Sequence, residues 1–519
     1  MLSYKKFFTI YWFLILLTPS MDATEIDSLQ ILAENTTDAG QKSTILCQLS
    51  KESLWIDDEK SYYYAMEALK HAEKSRSPLK IAEARNRIGN YYTKHRQLDT
   101  ALYHFNIALR LNKKVRNKEE IGNTYNYIGN VYFFKEELSL AKKYLRKAID
   151  LQEQMEAYSG TANSLFNLGS VYLKEDSYDS ALLYYKQTLY YDSLSADTMN
   201  INIGITLNDI GGVYFFKGDY AKAIYYYLKA LTIFEKFSYE VGISKMLNNI
   251  GNIYFEQKNY DKAWDYFENS VELKEKLHDT VALANTYCSM GIIKFYQEQE
   301  EIAYRFFNTS RKYFKEAGVT RGLSKNYRYT GRIELKKGNH EKSKLFFQKA
   351  MNIAKELDDK SAIAECLQFY GIIGFKQRDY HGAQKNLKSA LKIARELGNL
   401  ELERNIHKHL ADAYVKSGQF ENAVIHLNDY ILLNDSIFKI ENRQIVMDLG
   451  AKYETQKKEL ELEMALKDKR LKDIQIKKEK FTRDTIIVVI VLLMIILILI
   501  FNNAIRQIIH KNSKLHSNN

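Results

Sequence analysis

Along most of the chain, apolar and polar positions follow a helical period broken by short polar turns. In "YNYIGNVYFFKEELSLAKKYLRKA", starting at Tyr125, the residues Tyr125, Ile128, Gly129 and Tyr132 fall on one face at spacings of three and four. After a polar break, Ala141, Leu145 and Ala148 do the same. The pattern predicts two amphipathic helices joined by a tight turn. It returns in the same register in "LNDIGGVYFFKGDYAKAIYYYLKA" from Leu207 and "LNNIGNIYFEQKNYDKAWDYFENS" from Leu247. The glycines Gly89, Gly129, Gly169, Gly211, Gly251, Gly291, Gly331 and Gly371 set a period of 40 residues with one interval of 42. Such a period predicts stacked helix pairs, each burying its apolar face on its neighbours.

A glycine inside a helix costs about 1 kcal/mol, so its recurrence at one position implies a packing requirement. Gly129 and Ala141 are expected to let the two helices of a pair approach closely, with aromatic rings filling the grooves beside them.

Composition narrows the fold class. Pro19 and Pro78 are the only prolines in 519 residues, and helix interiors exclude proline, so an all-α chain is expected. Cys47, Cys288 and Cys366 are far apart and odd in number, and read as small buried hydrophobes rather than a disulfide framework or a zinc site. The net charge of +11 comes from lysines and arginines that alternate with acids, and no helix collects a basic stripe. Nucleic acid is therefore not an expected partner. Only the stretch before residue 485 is locally basic, where an anionic lipid surface is the natural neighbour.

The repeat resembles the tetratricopeptide repeat, which has Leu-Gly and Tyr in its first helix and Ala, Phe and Ala in its second. The resemblance covers residues 41–430, nine or ten repeats, and implies a superhelical solenoid. Lys294, Glu334 and Gly374 depart from the first-helix aromatic, Ala411 replaces the last glycine, and the proline after the second helix is absent. The unit at 41–75 is degenerate and fits a terminal cap.

One step round from the packing stripe stand Asn86, Asn90, Asn126, Asn130, Asn208, Asn248 and Asn252. In tetratricopeptide solenoids that face lines the concave groove. Asparagine offers both donor and acceptor, so such a ladder predicts a site for the backbone of an extended peptide. Phe133, Phe215 and Phe255, continued by Phe295 and Phe375, are expected to supply its apolar pockets. The alternative leaves the asparagines as solvated surface and packs the phenylalanines between repeats.

The ends suggest a membrane protein. Lys5 and Lys6 precede an apolar run from Phe7 to Leu17, then Thr18, Pro19 and Ser20, so residues 1–23 read as an export signal. Residues 436–483 predict one long helix, with pairs such as Glu454 and Lys458 four apart. Leu460, Met464, Leu471, Ile474 and Phe481 form a heptad seam that Lys467 and Lys478 interrupt, which leaves a homodimeric coiled coil and a single solvated stalk both open. Residues 485–501 carry no charge and predict one transmembrane helix, followed by a short tail at 502–519. With the N-terminus exported, the array is expected in the periplasm and the tail in the cytoplasm of a bacterium, the chain crossing the inner membrane once.

The piece from Leu433 to Asp473 resembles the junction in bacterial membrane-anchored tetratricopeptide regulators, where a histidine kinase or helix-turn-helix domain follows the membrane helix. His510 and His516 lack a phosphoacceptor context, so the resemblance supports the sensor half alone. No Gly-rich phosphate loop, Cys–His pairing or metal-spaced cluster appears; His407 and His409, two apart, point to different sides of a helix. Neither enzyme activity nor a cofactor or metal is expected. The expected function is a membrane-anchored peptide- or protein-binding module with its output on a separate partner. The alternative is a structural scaffold for envelope proteins.

Overall fold

The structure, a computed structural model, describes residues 23–54, 57–195 and 201–437. All of these belong to the first of two compact units, residues 1–452. The expected stalk beyond residue 437, the expected span at 485–501, the tail and nearly all of the export signal lie outside the described residues. Among the described residues, no helix is long and apolar enough to cross a membrane.

Every regular element described is an α-helix, as the near-absence of proline predicts. After Ala23–Asn35 come Ala39–Ser53 with Asp58–Lys74, Pro78–Lys94 with Leu98–Lys114, Lys118–Phe134 with Leu138–Glu153, and Tyr158–Lys174 with Tyr178–Leu194. Ile201–Phe216 with Tyr220–Lys236, Glu240–Glu256 with Tyr260–Lys276, and Thr280–Tyr296 with Glu300–Glu316 continue the series. It ends with Leu323–Lys336 and His340–Glu356, Lys360–Lys376 and Tyr380–Glu396, and Leu400–Lys416 beside a helix over 420–437. Each second helix packs on its own first helix and on the next one in the chain. Successive first helices also touch, which successive second helices do far less, so the first helices line the inner side of a solenoid.

The turn within a pair takes only three residues because its middle one adopts the left-handed conformation. After Lys118–Phe134, Glu136 has φ 63°. Its N–H donates to the Phe133 carbonyl and that of Glu137 to the Tyr132 carbonyl, both at 3.0 Å, which satisfies the last carbonyls of the helix. Most turns use an ordinary residue at this strained position, among them Arg96, Arg116, Asp176, Lys258 and Arg378; Gly218, Gly318, Gly338, Gly398 and Gly418 fill it elsewhere. Asp219, Asn259, Asp279, Asp359, Asp379 and Asn399 then cap the following helix, each side chain accepting from the N–H three residues on.

The repeating glycine does what its recurrence implied. A Cβ on Gly89 would stand 2.5 Å from the Phe105 ring, and one on Gly169, Gly291 or Gly331 would stand 2.8 Å from Tyr185, Phe307 or Phe347. The partner is always the residue sixteen positions on, and it is fully buried. That side chain, a ring in six pairs and a leucine at Leu145 and Leu387, therefore seats directly on the glycine, not in the grooves beside it. Cys47, Cys288 and Cys366 are free and buried as expected, and burial pushes the thiols of Cys47 and Cys366 up to about 12.

Candidate functional site

The asparagine stripe divides in two. Asn86, Asn126 and Asn208, each three residues before a repeat glycine, are buried, and each bonds across to the next first helix. Asn86 Nδ2 donates to Thr124 Oγ1 at 3.1 Å; Asn126 Oδ1 accepts from Asn167 Nδ2 at 2.8 Å; Asn208 Oδ1 accepts from Asn249 Nδ2 at 2.9 Å. Asn248 is half-buried, and its Oδ1 accepts from Thr286 Oγ1 at 3.1 Å and from Lys274 Nζ at 3.0 Å. The convergence of the first helices brings these amides onto one another, and a buried amide must be paired. Three of the predicted ligand residues thus hold repeats together inside the array instead of facing a groove.

The other half of the stripe lies one helical turn on. Asn90, Asn130 and Asn252 are half-buried on the first helices, and Asn130 Oδ1 has no hydrogen-bond partner in the structure. The phenylalanines serve mainly as bracing. Phe133 is buried in the core with Leu165 and Leu168. Phe215 and Phe255 are half-buried, and each ring lies 5.8 Å from the tyrosine five residues on, Tyr220 and Tyr260, across the turn. Of the expected apolar pockets, that at Phe133 is core.

Charged groups that the sequence did not single out gather in the middle of the array. Asp209 is buried beside Asn208, whose Nδ2 donates to its carboxylate at 3.0 Å, and burial pushes its pKa well above the usual carboxylate range. Lys274 is 3% exposed, and its Nζ also donates to Thr286 Oγ1 at 2.6 Å. Burial pulls its ammonium down to about 7 against the attraction of Asp279. Lys245 is drawn by burial to about 8, with Asp279 and Asp209 acting the other way.

A signal for Lys274 existed. It occupies the position seventeen residues before a repeat glycine that holds Asn112 and Gln152 in earlier repeats. Both of those meet a hydroxyl twelve residues on: Asn112 Nδ2 lies 3.5 Å from Thr124 Oγ1, and the Gln152 amide lies 2.7 Å from Ser164 Oγ. A lysine in "VELKEKLHD" reads as solvated surface unless the register is compared between repeats.

Family models of the tetratricopeptide repeat match residues 80–154, 120–189 and 242–316, and a second such model matches 206–237. The chain carries tetratricopeptide repeats. The apo form of RapI is similar at 18% identity, over 69% of this chain and 99% of that one, with a TM-score of 0.51. A signal transduction ATPase with a tetratricopeptide repeat sensor from Pyrococcus horikoshii is similar at 15% identity, over 82% of this chain and 68% of that one, with a TM-score of 0.52. At such identities the likeness is one of fold. No curated protein matches the chain.

In the central repeats, Asp209 on Ile201–Phe216 and Lys274 on Tyr260–Lys276 are buried beside the paired amides Asn208 and Asn248, while Asn252 stands half-buried on Glu240–Glu256. That arrangement offers hydrogen bonds to an extended chain and a desolvated setting in which a ligand charge interacts strongly.

Proposed function

We propose that the repeats bind an extended peptide or protein segment on their inner side, and that the chain is the membrane-anchored, sensing part of a system whose output lies on a separate partner. The observation that carries the first half is the half-buried set Asn90, Asn130 and Asn252 on the first helices. The three amides share one position, directly after the repeat glycine, and hydrogen bonds from them to a ligand backbone leave side-chain choice open. Anchoring rests on the uncharged run 485–501 and the signal-like start, and puts the array in the periplasm with the tail in the cytoplasm.

Photo-crosslinking from within the membrane-bound full chain tests the binding face. A crosslinker placed at Asn130 or Asn252 should capture a partner that one at the exposed second-helix residue Tyr103 does not. Capture from Tyr103 alone would move binding to the outer side and favour the scaffold reading. Topology is tested separately. A reporter active only in the cytoplasm should work after Asn519 and be silent when inserted at Gly338, and the reverse result would overturn the placement.

A further inference from the structure

The last helix pair departs from the packing rule. In eight earlier pairs the residue sixteen positions after the repeat glycine is at most 1% exposed, from Phe105 to Leu387. Here Ala411 replaces the glycine, and Leu427, its partner by register, is 41% exposed. The contact of a buried ring or leucine on glycine that seats a second helix on its first is missing.

A polar cluster stands between the same two helices. His407, on Leu400–Lys416, is fully buried; His426 and Asp429, three residues apart and so on one face of the helix 420–437, are half-buried. His407 Nδ1 lies 2.9 Å from His426 Nδ1 and 3.4 Å from Asp429 Oδ2, and ligand atoms of all three lie within 4.8 Å of one another. Two ligand atoms about 2.0–2.1 Å from a tetrahedral cation stand about 3.3 Å apart; the His407–Asp429 separation matches that, the His407–His426 one is shorter, and a small shift of the imidazoles brings all three round one ion. The far side of His407 faces Arg395 and Glu403. Arg395 Nη2 lies 3.3 Å from His407 Nε2, Glu403 Oε1 lies 3.7 Å from the same nitrogen, and Arg395 Nε donates to that carboxylate at 2.7 Å. The Tyr414 ring stacks on His426 with centroids 5.4 Å apart and planes 7° from parallel.

We propose that His407, His426 and Asp429 form a binding site for one transition-metal dication, best suited to Zn2+, which ties the helix 420–437 to the end of the array. Two imidazole nitrogens and one carboxylate oxygen suit zinc and disfavour calcium or magnesium, which take oxygen ligands. The ion would supply across the Leu427 gap the cohesion that the glycine contact provides elsewhere. Three protein ligands leave a fourth position for water.

Without an ion, the same distances describe a hydrogen-bonded histidine pair in which one Nδ1–H donates to the other Nδ1. Metal titration separates the two. The full chain, purified in detergent and stripped with EDTA, is titrated with Co2+ and read by visible absorption, then displaced with Zn2+. One ion per chain with a tetrahedral absorption band is expected. His426→Ala and Asp429→Ala should each weaken binding at least about tenfold, while His381→Ala, at an exposed histidine, should not. Zn2+ should raise the melting temperature of the wild type and leave that of the variants unmoved. Circular dichroism checks folding, and the near-isosteric His426→Gln and Asp429→Asn replace any alanine variant that loses helicity. Absence of the band, or equal affinity in wild type and both variants, would overturn the site.

Discussion

Phe267 lies over the missing side chain of Gly251. A Cβ there would stand 2.8 Å from two atoms of a ring that is fully buried and has nowhere to go. The same relation joins Gly291 to Phe307 and Gly331 to Phe347, forty residues apart each time. The glycine is thus the half of a contact that sets how closely two helices pack, and its cost in helix propensity is outweighed by a full aromatic burial.

Gly251→Leu should therefore overpack the pair and cost on the order of 1 to 3 kcal/mol, with Gly251→Ala toward the lower end. Urea unfolding followed by circular dichroism reads the change. An unmoved midpoint for the leucine variant would show that the ring does not seat there.

The left-handed turn position predicts gains as well as losses. Arg378 is exposed with φ 66°, while Gly338, forty residues earlier in the same register, has φ 78° and open space around it. Arg378→Gly should stabilise the chain by roughly 0.5 to 1 kcal/mol, relief of backbone strain exceeding the added freedom of the unfolded chain. Gly338→Ala should cost roughly 0.5 to 1 kcal/mol, the added backbone strain exceeding the freedom the unfolded chain loses. Thermal melts of both variants check the pair, and shifts of the same sign would contradict the turn geometry.

The helix pairs, their period and their close approach are legible from Gly129 and its counterparts in the sequence alone, because the cause is local and repeats. The division of the asparagines is not. Asn86 and Asn90 share one helix face four residues apart, yet the packing of the next first helix brings Thr124 to Asn86 and leaves Asn90 half-buried. Lys274 is hidden for another reason, since residue type alone assigns a lysine to solvent. The approach of His407 to His426 depends on two helices folding back over nineteen residues, where the neighbouring His409 is the more visible pairing.

Asp192 carries a pH dependence. It is 5% exposed, its Oδ2 lacks a hydrogen-bond partner, and burial raises its pKa from the ordinary 3.8 to about 6. Between those values the folded state holds a proton that the unfolded state has lost. The stability from this group is therefore fully present below pH 3.8 and is lost as pH rises through about 6. Asp192→Asn removes the buried charge and should stabilise the chain by about 1 to 3 kcal/mol at pH 7 and by little near pH 4. Unfolding of both proteins across that range checks it; a difference independent of pH would assign the gain to packing.

The two classes of asparagine should respond oppositely. Asn208→Ala removes the acceptor for the buried Asn249 and the donor to Asp209, so it should cost about 1 to 3 kcal/mol despite alanine's better helix propensity. Asn90, Asn130 and Asn252 are half-buried, and changing all three to alanine should leave the melting temperature unchanged or higher. If their amides meet a ligand backbone, the triple variant should lose partner capture, at about 0.5 to 1.5 kcal/mol for each hydrogen bond removed. The measurements are a melt and a pull-down of the crosslinked partner, run on wild type and both variants. Full capture by a well-folded triple variant would take the ligand away from this row, leaving the buried asparagines with the repeat-joining role that Asn208 already shows.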